Sequence, residues 1–346
     1  MGDVESRLNK TAIKKGTTWD TEVDVNGAGN GIYVLNPGVP KLGVAMLEDE
    51  SATAHAKNLD VGNINPSDFQ LDFDDRYDGL ENILLALLMG TTAAPAQQAA
   101  TSAYLHALSL KDSVAGLFAT YATEKGTKIH VVPSIKVMKG AFSFNNGLIR
   151  SSYSVRGSRV IDNSSVITSM SSVTVPANAH HRAKAYQAVF RMNAQAGAGL
   201  ATPTDVLKPK AFNLEIERSF DGEHVAGSQA IIESLENAKP KVKLTMEFAR
   251  MDAVNAAWFA AWAAASEYKA DVVITGPLIA STYYYYKKFQ LPRLVIEDVE
   301  FADSKIIPAK VILRGLEADA APTAMTGLTL PVYADLMNTR ATSLLA

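Results

Sequence analysis

Two acidic clusters, Glu48-Asp49-Glu50 and Asp72 with Asp74 and Asp75, are the first places in this sequence where chemistry could reside. Paired carboxylates serve glycoside hydrolysis as acid and base or as nucleophile. Clustered charge is more often a solvated face. His180-His181 could ligate a metal, but no Asp or Glu stands at ligand spacing, and His55, His106, His130 and His224 are scattered. The pair therefore reads as exposed linker histidines. Asn26-Gly27-Ala28-Gly29-Asn30-Gly31 invites a phosphate-loop reading. Its spacing fits neither nucleotide fingerprint, and it leads into an apolar strand pattern where a phosphate loop needs a helix N-terminus. It reads as a turn, as does Gln195-Ala196-Gly197-Ala198-Gly199. Tyr283-Tyr284-Tyr285-Tyr286, followed by Lys287-Lys288, resembles a stacking platform for single-stranded nucleic acid. In a strand only alternate tyrosines share a face, so packing into a core on one side and a subunit contact on the other fits better. No nucleophile-elbow pattern is present. No catalytic, cofactor-binding or metal-binding residue is assigned, and no cofactor is expected.

These groups must be held by something, and composition bounds what. The 346 residues suffice for two domains, and 47% hydrophobic with 20% charged residues is ordinary for a globular chain. A net charge of -3 offers no basic surface for nucleic acid, and the absence of cysteine removes disulfides, thiol nucleophiles and thiolate metal sites. The N-terminal stretch is polar and unlike a secretory signal. The most apolar runs, 83–89 and 256–265, are too short to cross a bilayer and read as buried helices. No membrane insertion is expected.

Three segments recur in order, which predicts two copies of one unit. Ile32-Tyr33-Val34-Leu35-Asn36 echoes Val189-Phe190-Arg191-Met192-Asn193 as a strand ending in Asn. Leu71-Asp72-Phe73 leads through Arg76-Tyr77-Asp78 to Leu80, as Leu244-Thr245-Met246 leads through Arg250-Met251-Asp252 to Val254. The helices that follow align Leu80, Leu84, Leu87 and Leu88 with Val254, Trp258, Ala261 and Trp262, one helical face in each. Asp78 and Asp252 stand where they would cap the helix starts, and Gly90 with Thr91 ends the first helix. Pro133-Ser134-Ile135-Lys136-Val137 with Val155-Arg156-Gly157 echoes Pro292-Arg293-Leu294-Val295-Ile296 with Leu313-Arg314-Gly315.

The expected organisation is an N-terminal arm (1–29), unit 1 (30–161), a Ser-rich linker or exposed arm (162–185), unit 2 (186–319) and a C-terminal tail (320–346). Outside the helices the pattern is β. Hairpins are expected at 104–110 with 117–123, turning at Lys111-Asp112-Ser113, and at 272–275 with 281–289, turning at Gly276-Pro277. Long strands follow at 128–144 and 148–160, then 289–301 and 305–316. The fold class is mainly β with one helix per unit, each unit a sandwich or half-barrel.

Gly16-Thr17-Thr18-Trp19-Asp20-Thr21, Arg76-Tyr77-Asp78-Gly79-Leu80-Glu81 with Leu88-Met89-Gly90-Thr91, and Lys128-Ile129-His130 resemble the duplicated tail tube proteins of long-tailed bacteriophages. So do Gly222-Glu223-His224-Val225-Ala226-Gly227 and Asn338-Thr339-Arg340. The resemblance implies a structural subunit, not an enzyme, whose units line an inner β-barrel. Trimers would give pseudo-hexameric rings with on the order of 24 barrel strands, and stacked rings would form the channel through which viral DNA passes. Lumen strands are expected in 128–160 and 289–316, and ring-to-ring contacts in the loops 48–66 and 219–239. The acidic clusters, if they lined such a channel, would repel DNA phosphates. The implied partners are other copies of the chain, the tape measure protein, the tail terminator and the distal tail proteins, with DNA only in transit. The implied location is the virion tail, assembled in the host cytoplasm. The reading from another class is a two-domain β-sandwich that binds or hydrolyses carbohydrate.

Overall fold

The computed structural model describes residues 10–345 except 39, 42, 49–58, 92, 146, 251–256 and 302–308. Two-residue alternation builds most of it. In the strand Ile149–Gly157, Ile149, Ser151, Tyr153, Val155 and Gly157 are buried while Arg150, Ser152, Ser154 and Arg156 are not.

The first half of the chain contributes β1 (Thr11–Lys15), β2 (Val44–Glu48), β3 (Leu59–Ile64), β4 (Ser67–Asp74), α1 (Asn82–Met89), β5 (Ala96–Gln97), β6 (Tyr104–Ser109), β7 (Ala119–Lys125), β8 (Lys128–Asn145) and β9 (Ile149–Gly157). The second half contributes β10 (Ala188–Ala194), β11 (Val206–Leu207), β12 (Ala211–Glu217), β13 (Phe220–Asp221), β14 (Leu235–Glu236), β15 (Lys241–Phe248), α2 (Trp258–Ala263), β16 (Glu267–Ala280), β17 (Tyr283–Phe301), β18 (Ala309–Gly315) and β19 (Tyr333–Asn338). One open sheet takes fifteen of these strands, and β2–β3 and β13–β14 pair separately.

Within that sheet two sets of five antiparallel strands follow the same order. The first runs β4-β9-β8-β7-β1 and the second β15-β18-β17-β16-β10. Their bulges coincide. The β8–β9 register slips between Val137 and Lys139, and the β17–β18 register slips between Ile296 and Asp298. A second slip falls between Ala119 and Tyr121 in β7–β8 and between Tyr268 and Ala270 in β16–β17. A bulge bends its strand locally, so coincident bulges mean that both sets are bent at the same places. The sets join through β12, which pairs with β8 on one side and β15 on the other.

Apolar faces from both sets share one core. Helix α1 is buried all round, and Gly90 ends it in the left-handed region (φ 80°), its N–H bonding the Ala86 carbonyl at 2.9 Å. The helix lies so close to β8 that a Cβ on Gly140 would stand 2.6 Å from Leu88 Cδ2. Arg218, 2% exposed, closes the C-terminal end of α1. Its Nε donates to the Leu88 carbonyl at 2.7 Å and its Nη2 to the Lys111 carbonyl. Arg218→Ala would orphan both carbonyls and is expected to cost about 2–3 kcal/mol in urea unfolding.

Several expectations need correction. Residues 32–35 form no strand, since only Gly31 and Asn36 make isolated bridges, to Ala12 and Asp72. Strands β6 and β7 do not pair with each other. β6 is held by β19 and β5, while β7 lies between β1 and β8, so the C-terminal segment takes the place expected for a local hairpin partner. The β16–β17 hairpin exists, but the chain reverses at Ser281-Thr282, and Gly276-Pro277 lies inside β16 at an irregular step. Asp78 does not cap α1; it accepts bonds from Thr339 N at 2.9 Å and Thr339 Oγ1 at 3.1 Å and so anchors the C-terminal segment. The two helices do not bury the same stripe. In α2 Trp258 is buried, whereas Trp262 is 38% exposed; Asp252 and Val254 lie outside the described residues. Residues 162–185 are no free arm, because Ile167, Met170 and Val173 pack with Ala12, Val25, Ala122 and Val131.

The strand echo was two residues out of step. Leu71, opposite Tyr153, lies four residues beyond Ser67, which meets Gly157, and Met246, opposite Val311, lies four residues beyond Val242, which meets Gly315. Leu71 thus corresponds to Met246, and Phe73 to Phe248. A two-residue shift keeps every side chain on its own face, so alternation alone could not detect it.

Candidate assembly surface

Seven strands lie side by side in the order β4-β9-β8-β12-β15-β18-β17. One face is apolar and turned to the core, with Phe73, Tyr153, Phe142, Leu214, Leu244, Leu313 and Ile296 among its side chains. The other is polar, and charges of opposite sign pair across several of its neighbouring strands. Arg156 meets Asp68 at 3.0 Å, Lys139 meets Glu215 at 2.9 Å, and Lys310 meets Glu300 at 2.9 Å. The register adds Glu217 opposite Lys241 and Glu247 opposite Lys310. Such exposed pairs stabilise the sheet little. Their effect is on the field: these pairs neutralise much of the basic charge that would hold a polyanion, while Lys243 and Arg314 stand opposite each other as two cations. On Glu215, burial opposes ionisation, but the hydrogen bond and charge of Lys139 outweigh it and leave the carboxyl pKa below its ordinary value.

The acidic groups singled out by sequence separate here. Asp72 and Asp74 lie on the polar face. Asp72 accepts from Ser152 Oγ and Gln70 Nε2, both at 2.7 Å, and Asp74 meets Arg182 at 3.2 Å. Asp75 points the other way and is buried against Lys287 Nζ at 2.7 Å. Glu48 is exposed at the end of β2, and Asp49 and Glu50 lie outside the described residues. These carboxylates therefore form no single acidic site.

The remaining candidates are absorbed structurally. His180 and His181 stack at 3.9 Å between centroids, and His181 lies 5.2 Å from the Tyr285 ring. Burial and the neighbouring His180 lower the His181 pKa. Among the described residues no group of three or more His, Asp or Glu is placed to hold a metal. The glycine cluster turns beside Thr174, whose carbonyl receives Gly29 N and Gly31 N. Of the four tyrosines, Tyr285 is buried against Tyr77 at 5.7 Å, while Tyr284 is exposed. The next inward residue is Lys287, which the sequence offered only as a companion to an aromatic platform.

Sequence reasoning missed the cluster around that lysine. Lys287 Nζ also donates to Asn82 Oδ1 at 2.7 Å, joining β17 to the first turn of α1. Glu81 is buried beside it, with its carboxyl pushed up to about 7, chiefly by desolvation and against the pull of Lys287. A lysine in an inward register of an apolar strand was the available signal.

Two edges of the seven-strand face lack a full partner strand. Over Asp298–Phe301, β17 is bonded to β18 on one side, and no described strand lies on the other. The Val299 N–H is met there by its neighbour's Asp298 Oδ1 at 2.8 Å. Beyond β4, among the described residues, lies no strand but a short segment from which Leu35 N donates to the Asp72 carbonyl at 2.8 Å and Lys41 N to Ser67 Oγ at 3.0 Å.

A mainly β subunit with a charge-balanced outer face and open sheet edges is built as a structural component. The family described as "Phage tail tube protein" matches residues 12–335, nearly the whole chain, and the chain belongs to that family. It is a structural protein of the virion tail. Among curated proteins no match is found.

Proposed function

We propose that the chain is a duplicated, ring-forming subunit whose polar sheet face lines the tail channel. The observation that carries this reading is the pair of five-strand sets with one order and the same bulges, merged into a sheet that ends in open edges. Two such units in a chain would occupy two like positions of a ring, and three chains would complete a pseudo-hexamer. The units are 30–161 and 186–319, with the segment 162–185 between them, the arm 1–29, which supplies β1 to the first five-strand set, before and the tail 320–346 after.

Closing the sheet across copies would remove its edges, which otherwise invite uncontrolled pairing. The lining strands fall within 128–160 and 289–316, joined by β4, β12 and β15. Their balanced charge suits a duct through which DNA moves without adhering. Head-to-tail stacking of rings is heterologous and extends into a filament. The loop 219–239 and the β2–β3 hairpin, where Met46, Leu47, Leu59 and Val61 are exposed, are the surfaces offered for stacking. The tape measure protein would occupy the channel before DNA, and terminator and distal tail proteins would meet the two ends. Assembly would take place in the host cytoplasm.

Negative-stain microscopy of the purified chain is the test. Rings or tubes with an axial channel are the expected images. A monodisperse monomer at high concentration, by scattering and microscopy alike, would sink the reading.

A further inference from the structure

The join between the two halves of the chain also describes the join between copies. In the second set, β12 runs along β15 with Ala211 opposite Glu247 and Ile216 opposite Val242, and Lys210 N donates to the Glu247 carbonyl. On its other side β12 runs along β8, with Glu215 opposite Ala141 and Ile216 opposite Gly140. That completes the strand order β15-β12-β8 within one chain.

The same start exists in the first set. Asp72 of β4 corresponds to Glu247 of β15, because each lies five residues beyond the residue opposite Gly157 or Gly315. Asn36 bridges Asp72 as Ala211 meets Glu247, and Leu35 N donates to the Asp72 carbonyl as Lys210 N donates to Glu247. Lys41 reaches Ser67, the residue that corresponds to Val242, as Ile216 does. Asn36 and Lys41 therefore meet β4 at the places where Ala211 and Ile216 of β12 meet β15. Among the described residues no strand lies on their far side. Conversely, no described strand lies on β17 at the place where β8 receives β12. The coincident bulges align Lys139 with Asp298, hence Gly140 with Val299 and Ala141 with Glu300.

We infer that the edge of β17 in one copy pairs antiparallel with the segment that carries Pro40 and Lys41 in the next, with Glu300 opposite Pro40 and Val299 opposite Lys41. This rests on the ring-forming reading above and goes beyond it in naming the strands and the register. The partner is a second copy because each edge is matched by an edge already present on the same chain, and a contact between unlike patches repeats around a ring. The Val299 N–H, held in the single copy by the Asp298 carboxylate at 2.8 Å, would exchange that partner for a backbone carbonyl. Seven strands of polar face plus the 36–41 segment make one continuous set per copy, with no edge left over in a closed ring.

The absence of native cysteine makes the register testable by disulfide trapping. Directly opposed strand residues have Cβ atoms about 4.5–5.5 Å apart, within reach of a disulfide after small shifts, whereas residues several places off register are not. Pro40→Cys with Glu300→Cys in the full chain is expected to convert most assembled protein to covalent oligomers under mild oxidation, on a non-reducing gel. Pro40→Cys with Val295→Cys is expected to leave it monomeric on the same gel. Wild-type tubes alongside absent, or equal, cross-linking of the two pairs would overturn the register while leaving the tube reading intact. A wild-type chain that never assembles would overturn both. Either single-cysteine variant, if it cross-links as well as the pair, also counts against the register.

Discussion

Lys287→Met is expected to destabilise the isolated chain by about 3–5 kcal/mol, seen as a lower midpoint in urea unfolding with little change in slope. Lys287 is 1% exposed, and its ammonium bonds Asp75 and Asn82, each at 2.7 Å. Methionine matches the stem and fills the space, so packing changes little. What remains is a buried Asp75 carboxylate without its cation, and that desolvated charge is the source of the penalty. The double substitution Lys287→Met with Asp75→Leu removes both charges and is expected to recover most of the loss. If Lys287→Met alone matched the wild type in unfolding midpoint, the pair would not be holding β17 to the start of α1. The effect reaches across the molecule, because Asp75 and Lys287 come from different halves of the chain and meet where Tyr77 packs on Tyr285.

Glu81 should give the same cluster a measurable pH dependence. Burial raises its carboxyl from 4.5 to about 7, while the charges of Lys287 and Arg76 lower it and that of Asp75 raises it. Between those two values the folded chain keeps a proton that the unfolded chain releases. The stabilisation is fully present below about pH 4.5 and is lost as the pH rises through about 7, a change of about 3 kcal/mol. Glu81→Gln keeps the shape and removes the titration. Its stability relative to wild type should therefore climb from pH 5 to pH 8 and then level off, by chemical denaturation at each pH. A difference that stays flat across that range would mean that Glu81 ionises normally inside the fold. Comparing variant with wild type at each pH cancels the carboxylates remote from Glu81.

The face that meets DNA in the proposed channel and the cluster that stabilises the chain lie on opposite sides of the same strands. Asp74 and Asp75 are adjacent, yet one joins an exposed ion pair with Arg182 and the other is sealed against Lys287. An alternating strand makes both possible at neighbouring positions. It also separates their consequences. Substituting Asp74 would alter the surface field at little cost in stability, whereas substituting Asp75 would act on folding.

The amino-acid sequence by itself determined the β-rich class, both long late strands, the α1 helix with its Gly90 stop, and the recurrence of Pro133 and Arg156-Gly157 in Pro292 and Arg314-Gly315. Those features are local: alternation, helical period and turn chemistry act over a few residues and are written in neighbouring side chains. Tertiary structure alone decided the partners. That β6 pairs with β19, that β12 enters between β8 and β15, and that Lys287 lies against Asp75 are contacts between residues far apart in the chain. No short-range pattern encodes them. The true step between the matched strands was hidden for the related reason that a two-residue shift preserves which face is buried. It became legible only through Gly157 and Gly315, opposite Ser67 and Val242, because hydrogen-bond register distinguishes positions that side-chain polarity does not.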